Sequence, residues 1–152
     1  MDELLPDRPP QNAVAPLITT ANRALIAALM ASVSAKGFEN LTPAFAGVMP
    51  LLTAEGTRST VLAQQAGVTK QAMSQLVREL EARGYVEQAP DSKDTRAKVI
   101  RLTKRGVALR QACLETSRKL QMLAEETLGK SELTRFQRNL SRLIEAFGRS
   151  DR

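Results

Sequence analysis

The 152-residue chain has no histidine, no tryptophan and a single cysteine, Cys113. One thiol cannot form an intrachain disulfide, so packing must hold the fold, and a reducing cytoplasm is the expected compartment. Zinc sites made of Cys and His lack their ligands, and a Ser-His-Asp triad or a Cys-His pair lacks its base. The remaining nucleophiles have no adjacent base and no acidic pair shares a cleft-like motif, so neither an enzyme nor a cofactor or metal is expected. Long apolar runs are also missing. The longest, "ALIAALMA" at 24–31, has Asn22 and Arg23 beside it and is too short to span a bilayer. The N-terminus carries Asp2, Glu3 and Asp7 where a signal peptide would be positive. Neither membrane insertion nor export is expected.

Aromatic residues are few, with four Phe and one Tyr, while apolar residues make up 43% of the chain. The core must therefore be aliphatic, and the abundant Leu and Ala favour helix. Seven prolines and eight glycines are too few for a disordered chain. The length suits one ordinary domain. Net charge is +6, and eleven Lys/Arg against five Asp/Glu between Arg58 and Arg110 account for all of it. A basic middle third is the footprint of a surface for a polyanion. Charge alone would also fit an unevenly solvated surface.

The order of elements sharpens this. Residues 1–11, rich in proline and charge, read as a flexible arm. Over 12–40, Ile18, Ala21, Leu25, Leu29 and Val33 recur in steps of three or four and Gly37 follows, which describes one amphipathic helix and its stop. "LTPAF" at 41–45 reads as a helix start, with Thr42 capping and Pro43 in the first turn. Phe45, Val48, Met49 and Leu52 share a face, and Pro50 should bend or shorten that helix. "AEGT" at 54–57 reads as a turn.

Residues 60–85 hold two short helices. Thr60 is expected to cap the first, with Leu62, Ala63 and Ala66 inward. Gly67 allows a tight turn, Thr69 caps the second, and Met73, Leu76, Val77 and Leu80 form its inner face. This is the helix-turn-helix pattern. "GYVEQA" (84–89) and "KVIRL" (98–102) have strand character, so a β-hairpin with a long charged tip follows, Pro90 opening its link. Thr103 then caps a long helix to about residue 128. Leu109, Cys113, Thr116, Leu120, Leu123 and Thr127 alternate at intervals of four and three, a seam suited to another helix. After Gly129, Ser131 is expected to cap a last helix with Leu133, Phe136, Leu140, Leu143, Ile144 and Phe147 on one face. The expected fold is mainly α (α+β): a winged helix-turn-helix over 41–103, dimerisation helices over 12–40 and 104–148, and a tail at 149–152.

The outer face of the second short helix carries Lys70, Gln71, Ser74, Gln75 and Arg78. These form one stripe opposite the apolar face. No acid lies in it, and Glu79 and Glu81 are expected to point elsewhere. Gln can bond adenine through two atoms, Lys and Arg can bond guanine, and Ser can serve either or reach phosphate. An ordinary solvent face, by contrast, would mix both signs. Arg58 and Thr69 join these candidate DNA contacts. On the hairpin tip, Lys93, Arg96 and Lys98 are candidates for the flanking backbone or minor groove. Asp94 would repel phosphate there, so its expected role is to brace the wing by bonding backbone N–H groups or an Arg.

"LAQQAGVTKQAMSQLVRELEARGYVEQAPDSKDTRAKVIRLTKRG", residues 62–106, strongly resembles the multiple antibiotic resistance regulator (MarR) family. "GVTKQAMSQLVRELEARGYV" is similar to its recognition helix and following strand, "DTRAK" to its wing signature, and "LTKRG" to the start of its long fifth helix. The resemblance extends more weakly over about 13–148, and Pro50 interrupts the second helix where many members have none. It implies a winged helix-turn-helix homodimer that binds a palindromic operator on double-stranded DNA, usually as a repressor. Arg96 would then enter the minor groove and Asp94 orient the wing. The stripe residues would lie on the groove-reading helix.

The end helices have apolar faces that a compact winged domain can only partly satisfy. A second copy would bury the rest, with Ile18, Leu25, Leu120, Leu123, Phe136, Leu140, Leu143 and Phe147 as candidate dimer residues. The expected function is a cytoplasmic, ligand-responsive regulator, nucleoid-associated when bound to DNA. A small-molecule effector would act by changing the spacing of the two recognition helices. Leu29, Phe38, Phe45 and Met49 are candidate pocket lining, or plain core. Two alternatives are a thiol-based redox regulator using Cys113, against an inert core thiol, and a pseudo-regulator that binds protein in place of DNA.

Overall fold

The structure is a computed structural model that describes residues 12–53, 55–92, 94 and 96–149. The arm at 1–11, Lys93 and most of the tail lie outside the described residues. The chain forms two compact units, Met1–Cys113 and Leu114–Arg152.

The first unit opens with α1 (Val14–Ala35), closed by Gly37 at φ +85°. Only the C-terminal end of α1 reaches the core: Val33 is buried and Leu29 and Met30 pack against it. Further up, Leu25 is 51% exposed. By length and composition α1 could cross a membrane, with a mean hydropathy of 1.5. The eight-residue run alone does not reveal this, because the span counts the flanking small and apolar residues as well.

Pro50 shortens the next helix as expected. α2 (Phe45–Val48) passes directly into a 3-10 turn, Met49–Leu51, with Pro50 in its first positions. There Pro's missing N–H breaks no helical bond. Thr42 and Pro43 fall before the helix, which begins at Phe45 after Ala44, so neither occupies its expected position. In α3 (Ser59–Ala66) the cap position is Arg58 and Thr60 lies inside the helix. α4 (Lys70–Ala82) buries Met73, Val77 and Leu80, and Leu76 packs half-buried beside them. This is the expected inner face.

The wing is the antiparallel pair β1 (Val86–Pro90) and β2 (Lys98–Leu102), in register from Val86 opposite Leu102 to Pro90 opposite Lys98. Pro90 is thus the last residue of the strand and not the opening of the link. A proline is tolerated at such an edge because no ladder N–H is needed from it. Thr57, expected in a turn, pairs with Ile100. Their N–H groups donate to each other's carbonyls at 3.0 and 2.9 Å. Gly56 (φ +94°) makes this approach possible, since a Cβ there would lie 2.7 Å from Val99 Cγ2.

α5 (Lys104–Leu128) starts on the wing. The Thr103 hydroxyl donates to the Gly84 carbonyl at 2.6 Å and accepts from the Gly106 N–H at 3.0 Å. The expected seam on α5 is divided. Leu109 is fully buried in the core of the first unit and Cys113 packs against that core, whereas Leu123 is 58% exposed. The second unit contains the rest of α5 and α6 (Lys130–Arg149). Within it Thr116 and Leu133 are buried, Leu120, Leu140 and Leu143 are half-buried, and Gln137 Nε2 donates to Gln121 Oε1 at 3.4 Å. Gly129, at φ +76°, separates the helices, and Ser131 lies inside α6 rather than capping it.

Gly106 is where α5 meets the strand. A Cβ there would lie 1.9 Å from the Tyr85 carbonyl oxygen. Gly106→Ala should therefore lower the urea midpoint, with a destabilisation of about 1–3 kcal/mol or more from overpacking. An unchanged midpoint would show that the helix can shift away without loss.

Candidate nucleic-acid interface

Two elements carry the sequence-predicted contacts, and both are set by local geometry. α3 ends at Gly67 in the left-handed region, φ +66°, and the Val68 N–H donates back to the Ala63 carbonyl at 3.0 Å. The chain then enters α4 through Thr69, whose hydroxyl oxygen accepts from the Ala72 N–H at 3.1 Å. That cap satisfies one of the free N–H groups of the first turn. With one side of α4 in the core, Lys70, Gln71, Gln75 and Arg78 are exposed and Ser74 is half-buried.

The stripe is bonded within itself. Ser74 Oγ donates to the Lys70 carbonyl at 2.8 Å. Arg78 Nη2 donates to Gln75 Oε1 at 2.8 Å, and Gln75 Nε2 donates to Glu79 Oε1 at 3.1 Å. Glu79 therefore does not point away as expected; four residues on from Gln75, it is a neighbour on the helix surface. Both ends of the Gln75 amide are occupied, so reading a base with it would require exchanging these bonds.

On the wing, Asp94 Oδ1 accepts from the Arg96 N–H at 3.1 Å and from Arg96 Nε at 3.4 Å. The Ala97 N–H donates to the Asp94 carbonyl and the Asp91 N–H to the Ala97 carbonyl, both at 2.9 Å. The Arg96 side chain is 93% exposed, and Lys98 is exposed at the start of β2. Lys93 lies outside the described residues.

Arg58, expected among the DNA contacts, has its guanidinium engaged within the protein. Nε lies 2.8 Å and Nη2 2.7 Å from Asp91 Oδ2. Asp91 is buried and sits where β1 passes into the tip loop of the wing. The sequence gives no signal for this pair, because 33 residues separate the partners and no local spacing rule joins them. Tyr85 is a second residue that sequence reasoning misses. It is fully buried, its ring lies 6.2 Å from that of Phe38, and the Arg105 guanidinium stands 4.9 Å over it. Its carbonyl accepts from the Thr103 N–H at 3.1 Å. The available clue is that it is the only tyrosine and directly follows a glycine.

Phe45 and Met49 are buried, and Leu29 and Phe38 pack half-buried against the same core, so the four candidate pocket residues share one hydrophobic cluster. Burial pushes the Cys113 thiol up, partly offset by a backbone hydrogen bond and by Lys36. This opposes the thiolate that redox sensing requires. Of the candidate dimer residues, Ile18, Leu25, Leu123, Phe136 and Phe147 are exposed.

A short helix, a glycine turn, an exposed cationic and amide helix face, and an arginine-tipped hairpin define a winged helix-turn-helix. Residues 49–97 match the model of the MarR family. Its fold is similar to that of CouR from Rhodococcus jostii RHA1 bound to p-coumaroyl-CoA, with 21% identity over 90% of this chain and 95% of that one, and a TM-score of 0.71. It is also similar to the transcriptional repressor CouR bound to a 23-mer DNA duplex, at 19% identity over 91% and 99% of the two chains, TM-score 0.72. The PcaV transcriptional regulator from Streptomyces coelicolor, in complex with its natural ligand, has 18% identity over 93% and 99%, TM-score 0.70. Comparison with curated protein sequences gives no match.

Proposed function

We propose that this protein is a homodimeric transcriptional regulator that binds double-stranded DNA, acting as a repressor on a palindromic operator and responding to a small-molecule effector. The observation that carries this reading is the outward face of α4. It presents Lys70, Gln71, Gln75 and Arg78 to solvent beside a wing whose tip exposes Arg96. The major groove admits an α-helix and displays the donor and acceptor pattern that amide and guanidinium groups can read. Arg96 suits a narrow minor groove, where negative potential is concentrated. The localisation of the net +6 to residues 58–110 supplies the attraction to phosphate.

Dimerisation is supported by apolar surface in each unit. Val14, Leu17, Ile18 and Leu25 are exposed on α1, and Met122, Leu123, Phe136, Ile144 and Phe147 are exposed in the second unit. Soluble monomers rarely leave contiguous apolar patches open, and a two-fold axis pairs each such patch with its own copy. Effector response is supported by the shared fold with CouR and PcaV, each of which has been solved with a ligand. An effector would act by biasing the separation of the two recognition helices. The protein would work in the cytoplasm, associated with the nucleoid when bound.

Titration of the chain against duplex DNA from its own promoter region tests the reading. Arg96→Ala should weaken binding on all sequences and reduce the slope of log affinity against log salt by up to about one, the share of one phosphate contact. An unchanged slope would contradict the wing's placement on DNA. Gln71→Ala should relax preference at particular base pairs, costing about 1–3 kcal/mol there if the contact is bidentate. Equal loss at every sequence would show that Gln71 only positions the helix.

A further inference from the structure

We infer that the Arg58–Asp91 ion pair is a positioning device for DNA recognition: it fastens the outer end of β1, where the tip loop begins, to the start of α3 and so sets where Arg96 stands beside α4. This rests on the DNA-binding reading above. The two-residue stretch Thr57–Arg58 grips both strands of the wing. Thr57 pairs through its backbone with Ile100 on β2. Arg58 holds, through two nitrogens at 2.8 and 2.7 Å, the carboxylate of the residue that directly follows β1. From Asp91 the connection runs on to the tip. Its N–H donates to the Ala97 carbonyl, the Ala97 N–H donates to the Asp94 carbonyl, and Asp94 Oδ1 accepts from Arg96.

The physics favours such a fastening at this place. A two-stranded hairpin is marginal on its own, and its tip needs a second anchor where it leaves the protein body. The Asp91 side chain is only 12% exposed. A guanidinium bonded to a shielded carboxylate is among the stronger polar contacts. Arg58 also offsets the charge of an acid beside the tip loop. Its own side chain is 44% exposed, so a direct phosphate contact is the competing role.

Asp91→Asn in the full chain separates the two. Without DNA, hydrogen exchange at the backbone N–H groups of position 91 and of Ala97 should quicken about tenfold, as expected for loss of a charge-assisted bond; unchanged exchange would overturn the fastening. With promoter duplex, affinity should fall about tenfold, and this fall should vanish when Arg96→Ala is already present, because both act through the wing. If Arg58 merely touches phosphate, the substitution releases its guanidinium and removes a negative charge. Affinity would then hold or rise, and the positioning role would be refuted. A wild-type chain that binds no duplex defeats the DNA-binding reading itself, and the exchange result tells that failure apart from a failed fastening.

Discussion

Burial of Met73, Val77 and Leu80 along one side of α4 is the constraint on which the site depends. A helix with one side in an aliphatic core must turn the opposite side to solvent. On α4 that opposite side consists of Lys70, Gln71, Ser74, Gln75 and Arg78. The same core residues pack with Tyr85, Val86 and Ile100 in one cluster, so the wing's inner residues and the helix's inner residues share a single hydrophobic body. The relation between the exposed face of α4 and the wing is therefore a packing relation before it is an electrostatic one.

Around that core the wing is held at three points. Tyr85, fully buried, offers its carbonyl to Thr103 and approaches Gly106 too closely for any side chain there. Thr57 adds a backbone bridge to β2. Arg58 secures Asp91 with a charge. Each point involves a residue close to a helix start, so the start positions of α3 and α5 also set the direction of the hairpin. Strands this short gain little by themselves; neighbouring elements supply the rigidity.

Much of this is legible in the sequence, and the limits follow a pattern. Periodicity reveals the inner face of α4, the two strands, the glycine stops and the effect of Pro50, because each depends on residues within one or two turns of each other. Thr69 and Thr103 are readable as caps for the same reason. Thr42, Thr60 and Ser131 are misplaced because a threonine or serine near a helix start is common and the chain's tertiary path decides which position becomes the cap. The Arg58–Asp91 pair and the Thr57 bridge are invisible, since both join segments far apart in sequence. The α5 seam looks uniform, yet Leu109 serves the first unit's core while Leu123 is exposed. Periodicity identifies an apolar face without saying what covers it.

The exposed apolar residues of α1 and of the second unit are the surface that the proposed dimer would bury, and a symmetric pair imposes symmetry on what it reads. Selection of bound duplexes from a random DNA pool measures this most directly. A symmetric dimer should enrich an inverted repeat whose half-site centres lie about 10 base pairs, roughly one helical turn, apart. Enrichment of a single asymmetric site, or of no sequence at all, would contradict it.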